Sequence, residues 1–130
     1  MNGLRLRREP RADDSLVLLR GGLLDEETLR RDARMTMARF GEYGISVLAA
    51  PDEGAFDRLS AGPLRAYAQL TFMTAGAVRG TGVELRPTFR QPHYTVVFAD
   101  LDRDVARLAA CENAVRTNPH HQTTPGEERR

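Results

Sequence analysis

The chain has 130 residues, with 19 Lys plus Arg against 18 Asp plus Glu and a formal charge of +1. Its length fits a single domain that buries its own core without metal or disulfides, and its lone cysteine, Cys111, has no internal partner to oxidise with. The near-zero charge provides no whole-molecule field for nucleic acid or an anionic bilayer. With no apolar run long enough to span a membrane and an N-terminus too polar for export, the chain is expected to be cytoplasmic with no membrane partner.

Residues Met1 to Asp14 carry Arg5, Arg7, Arg8 and Arg11 against Glu9, Asp13 and Asp14, and Pro10 prevents a continuous helix. This segment reads as a solvated arm, or as an edge strand where Leu4 and Leu6 alternate with arginines. Leu16 to Arg20 is a strand stopped by Gly21-Gly22. Asp25, Glu26 and Glu27 open a helix whose Leu29, Ala33, Met37 and Phe40 form one apolar face, with Gly41 as its C-cap. Arg30, Arg31 and Arg34 lie off that face and are the candidate nucleic-acid-binding residues; such a surface is usually just solvated, here with favourable Glu26–Arg30 and Glu27–Arg31 pairs. Tyr43 to Pro51 is a buried strand, and the strand–helix–strand run places Arg20-Gly21-Gly22 at a ligand-binding edge if the two strands are parallel.

Asp52 to Ala61 reads as a short helix closed by Gly62-Pro63, and Tyr67 to Thr74 alternates as a half-buried strand. The glycine-rich Thr74 to Gly82 stretch matches neither standard nucleotide motif and reads as a helical turn. Val83 to Arg86 and His93 to Phe98 are strands, and Asp100 caps a helix with Leu101, Val105 and Leu108 inward. From Asn113 the pattern dissolves, so residues 1–112 are expected to form the domain and residues 113–130 a disordered tail. His120 and His121 lie in that tail without further ligands, and no metal site is expected.

All basic side chains are arginines. GC-rich coding explains this, and guanidinium forks also favour bidentate contact with phosphate and carboxylate. Hydrolase, kinase and metal motifs are absent, leaving a loose set of Arg20, Tyr43, Ser46, Glu84, Thr88 and His93 near strand ends. Each has a structural reading: an ion pair for Arg20, a packed ring for Tyr43, a backbone-bonded hydroxyl for Ser46, an outward strand face for Glu84. His93 is the best acid–base candidate, since imidazole titrates near neutral pH.

Pro10-Arg11-Ala12-Asp13-Asp14, Leu19-Arg20-Gly21-Gly22, Tyr43-Gly44-Ile45-Ser46-Val47 and Pro92-His93-Tyr94-Thr95-Val96-Val97 together resemble a family of small uncharacterised proteins of high-GC bacteria, which implies no activity. Leu19-Arg20-Gly21, a helix, and then Gly44-Ile45-Ser46 also resemble the opening of the ADP-ribosyltransferase fold. That resemblance implies NAD as a possible cofactor contacted by Arg20 and Ser46; with the residues read from the strand ends, the candidates are Arg20, Gly21 and Tyr43 for cofactor binding and Arg20, Ser46, Glu84 and His93 for catalysis. No serine-threonine-serine triplet follows, and Glu84 stands in no acidic signature.

The expected architecture is a single α+β domain, a mixed sheet of about five strands packed by two main helices. The expected function is a small toxin-like effector acting on a nucleotide or RNA, most concretely by NAD-dependent transfer, with a cognate antitoxin as protein partner. The alternative is a non-catalytic binding module that docks a protein or RNA through the arginine-rich face.

Overall fold

Each helix begins where the sequence supplies an oxygen to cap it. The computed structural model describes Leu4 and residues 6–122. After β1 (Val17–Gly21), the Asp25 carboxylate accepts the Thr28 N–H at 2.8 Å and opens α1 (Glu26–Phe40), which Gly41 ends at φ 81°. After β2 (Tyr43–Ala50), Asp52 caps α2 (Glu53–Ala61) through the Ala55 N–H at 2.7 Å. β3 (Gln69–Thr74) runs into α3 (Ala75–Gly80), so the glycine-rich stretch is helical. β4 (Glu84–Pro87) and β5 (His93–Phe98) follow, and Asp100 caps α4 (Leu101–Ala109) before β6 (Ala114–Thr117).

The described residues form an α+β fold with one six-stranded sheet of order β4-β5-β2-β1-β3-β6. Every neighbouring pair is antiparallel, so the sheet is not mixed and holds six strands rather than five. β1 and β2, whose parallel pairing was the condition for a ligand-binding edge at Arg20, pair antiparallel with Leu19 opposite Leu48. Helix α1 returns the chain to the end of the sheet where β1 stops, and β2 then runs back beside it. Arg20-Gly21-Gly22 is therefore not at the carboxyl edge of a parallel pair.

Alternation along the strands divides the core in two. Leu18, Val47 and Val96 face one side, beneath Leu29 and Ala33 of α1 and the Val105–Leu108 face of α4. Leu19, Ala50 and Leu70 face the other, beneath Phe56 and Leu59 of α2. Leu18 and Leu19, adjacent in sequence, are both fully buried on opposite sides. Each such leucine contributes roughly 1.5–3 kcal/mol by leaving water.

The N-terminal arm is an edge segment. Leu6 bridges Thr88, and the Arg7 N–H donates to the Pro87 carbonyl at 2.9 Å, so the arm covers the end of β4. Arg7 Nη1 donates to the Thr88 and His93 carbonyls at 3.0 and 2.8 Å, its Nε holds Glu9 at 2.6 Å, and the Tyr94 hydroxyl donates to the same carboxylate.

The disordered tail expected over residues 113–130 is corrected over its described part. β6 pairs with β3, placing Ala114 opposite Phe72 and Thr117 opposite Gln69. All four β6 residues are exposed, so the strand carries no apolar period; backbone hydrogen bonds and the Arg116 guanidinium, 4.2 Å from the Phe56 ring centroid, hold it. Asn118 then plugs the loop after α2. Its Nδ2 donates to the Ser60, Leu64 and Tyr67 carbonyls at 3.1 Å each, and its Oδ1 accepts the His120 N–H at 2.9 Å. Residues 123–130, the remainder of that expected tail, lie outside the described residues.

Removing the Asn118 amide strands buried carbonyls, so Asn118→Ala should destabilise the protein by about 3 kcal/mol. Deleting residues 123–130 should leave the thermal melt where it was; an unchanged Asn118→Ala melt would contradict the plug.

The arm clasp should respond to acid. The hydrogen bond from Arg7 holds Glu9 down at about 2, against the burial that raises it, from an ordinary value of 4.5. A carboxylate lowered by folding stabilises the fold above its unfolded value and ceases to as pH falls through its folded value. Amide exchange at Arg7 should therefore accelerate as pH drops from about 4.5 toward 2, after correction for intrinsic rates, and Glu9→Gln should flatten that response. Identical profiles for the two proteins would contradict the clasp.

Candidate functional site

β2 and β5 lie side by side, with Ser46 opposite Thr95 and Leu48 opposite His93. Ser46, Thr95 and His93 therefore share a face, and the long imidazole reaches diagonally to the serine. Ser46 Oγ is 2.9 Å from His93 Nε2, and His93 Nδ1 is 2.8 Å from Thr88 Oγ1. Thr88 Oγ1 in turn lies 2.8 Å from Thr95 Oγ1. Ser46 is exposed, His93 half-buried, and Thr88 and Thr95 are 0% and 2% exposed, so the line of polar atoms runs from solvent into the core.

Burial pushes His93 below its ordinary value of 6.5, and the Arg7 charge adds to that, while a hydrogen bond with Thr88 opposes it. Burial thus favours the neutral imidazole, the form that can accept a proton. Phe89 flanks it, with ring centroids 5.1 Å apart, and Phe89 itself rests 5.4 Å from Phe40.

Arg20 lies on the other side of the sheet, with Leu18. It is 8% exposed, its Nη2 pairs with Asp32 of α1, and its Nη1 reaches the Ser46 carbonyl at 3.4 Å. Arg20 thus touches the backbone of Ser46 while the Ser46 side chain points away from it. Gly21 admits the Tyr67 ring: a Cβ there would sit 2.2 Å from Tyr67 Cδ2. Tyr43 packs against the larger core and shares an open groove of about 450 Å³ with Glu42, Glu84 and Arg86. Within it, Arg86 Nε binds Glu84 at 2.8 Å and Nη1 binds Glu42 at 2.8 Å; the Arg86 hydrogen bond lowers the Glu42 pKa. The structure thus brings Ser46 and His93 together, and Tyr43 and Glu84 together, and leaves the Arg20 guanidinium on the opposite face, in reach of the Ser46 carbonyl but not of its hydroxyl.

Arg30, Arg31 and Arg34 share a third feature, the open outer face of α1, with Glu27, Met35 and Ala38. Arg30 is tied to Asp102 at 3.0 Å and to Glu26 at 3.7 Å, and Arg31 to Asp32 at 3.3 Å. Arg34 is exposed and enters no ion pair among the described residues, and Met35 is 58% exposed.

Two contributors escaped the sequence reading. Thr95 was detectable, because it stands two residues after His93 on an alternating strand and must share its face. Asp32 was not, since nothing in a helical spacing says which strand residue lies beneath it. Among the described residues, no three His, Cys, Asp or Glu side chains are grouped to hold a metal ion, and no helix is long and apolar enough to cross a membrane. No family model matches the chain, and no curated protein or solved structure is detectably similar to it.

The Arg20–Asp32 pair yields a stability prediction. Arg20→Ala should cost about 2–3 kcal/mol, short of a fully buried pair because the Asp32 side chain keeps 30% of its exposure. Arg20→Met with Asp32→Leu should recover part of the loss in a thermal melt. A full-strength melt for the single variant would show that the pair contributes nothing.

Proposed function

We propose that the protein is a binding module that docks an acidic, partly apolar protein segment on the outer face of α1. The supporting observation is the open helix face on which Arg31 and Arg34 flank an exposed Met35. Arginines offer paired donors to carboxylates, and a methionine at the centre adapts its shape to an apolar anchor.

A protein segment suits this face better than RNA. The face contains no aromatic ring on which a base would stack. The transferase reading draws on Arg20 and Ser46 around one NAD molecule, and their side chains lie on opposite faces of the sheet, so the geometry favours binding over NAD chemistry.

The test is titration of the labelled protein with an amphipathic Glu/Leu peptide, its Gln/Leu counterpart and oligouridine, followed by NMR. The acidic peptide should shift the Arg31, Arg34 and Met35 signals, and Arg31→Gln with Arg34→Gln should weaken it about tenfold, or 1.4 kcal/mol. Equal binding of the uncharged peptide, or shifts elsewhere, would remove this reading. Tighter, salt-steep binding of oligouridine would replace it with RNA.

A further inference from the structure

Ser46, His93 and Thr88 have the relations of a nucleophile, its base and the group that orients the base. The outer member is exposed, the middle one is half-buried and the inner one fully buried. The ring is held from several directions: Nδ1 by Thr88, a face by Phe89, and the backbone of both His93 and Thr88 by Arg7 Nη1. When Thr88 Oγ1 accepts from Nδ1–H and passes its own hydrogen to Thr95 Oγ1, Nε2 is left to accept the Ser46 proton.

From this geometry we infer that Ser46 is a nucleophile toward activated carboxylic esters, with His93 as its base and Thr88 as the positioning residue. Ser46 Oγ bonds to the ester carbonyl carbon as its proton passes to His93 Nε2. The ester C–O bond then breaks, and the imidazolium returns that proton to the departing alcohol. Water, deprotonated by the same nitrogen, attacks the acyl-serine, so ester and water become acid and alcohol and Ser46 is restored. Threonine orients the ring but brings no charge to steady the imidazolium, which confines the reaction to esters with good leaving groups. Phe89 and Leu48 beside the ring suit a small apolar acyl group. The site shares no residue with the face of α1 proposed for binding and is independent of it.

The experiment uses the full chain, a fluorophosphonate probe and p-nitrophenyl acetate. The probe exchanges its fluoride for Ser46 Oγ, and mass spectrometry of the digest locates the adduct. Wild type should be labelled on the Ser46 peptide and should release p-nitrophenolate. Ser46→Ala, an exposed change that leaves the fold intact, should do neither, and His93→Gln should slow labelling about 100-fold. Thr88→Val should slow it about tenfold, with Thr88→Ser restoring the rate, a rescue that packing alone would not produce. Unlabelled wild type, or labelling that survives Ser46→Ala, overturns the inference; a wild-type rate in His93→Gln removes the base.

Discussion

Successive side chains of a strand point to opposite faces, and β2 lies inside the sheet between β5 and β1, so its alternation decides which residues can meet. Ile45, Val47 and Ala49 are committed to the core beneath α1 and α4. Gly44, Ser46 and Leu48 are thereby turned to the other side. The same rule acts on β1 and β5, sending Arg20 with Leu18 and His93 with Thr95. A one-residue slip in either pairing would drive Ser46 into the apolar core and expose Val47, so burial of the larger core fixes the register that joins Ser46 to His93.

Arginine supplies much of the remaining connectivity. Arg7 fastens the arm to the Thr88 and His93 carbonyls, Arg79 holds the Ala12 carbonyl at 2.6 Å and Asp14 at 3.0 Å, and Arg86 joins Glu84 to Glu42. A planar fork with several donors bridges two segments at once, which the single ammonium of lysine does less well. Much of the positive charge in this lysine-free chain is therefore spent inside its own fold. Arg34 on the outer face of α1 is one of several arginines that enter no ion pair among the described residues.

The two proposed sites are built differently. The α1 face uses residues of a single helix, so its shape follows from helical spacing and tolerates side-chain motion. The Ser46–His93–Thr88 line needs β2, β5 and the β4–β5 connection in register at once, and Phe89 holds φ 55° within that connection. A binding face tolerates looseness of this kind, whereas proton transfer between Ser46 and His93 does not.

The sequence by itself determined the local elements. Asp100 announced a helix start because a short carboxylate satisfies free N–H groups within its own turn, Asp25 to Glu27 announced another because carboxylates favour a helix's positive end, and Gly41 announced a stop because it reaches the left-handed conformation cheaply. His93 to Phe98 is a strand, as its run of β-branched and aromatic residues suggests. Those signals act over a few residues and are written in the residues themselves. The direction of β2 against β1, the pairing of β6 and the insertion of Asn118 beneath α2 were decided only in three dimensions. Apolar runs carry no sign of direction, and an exposed edge strand such as Ala114–Thr117 is held by backbone hydrogen bonds that every sequence can make. The candidate site divides along the same line. His93 and Ser46 were legible as chemistry-bearing residues, but their contact, and the separation of Arg20 from Ser46 across the sheet, follow from strand register and from Asp32 arriving on a packed helix.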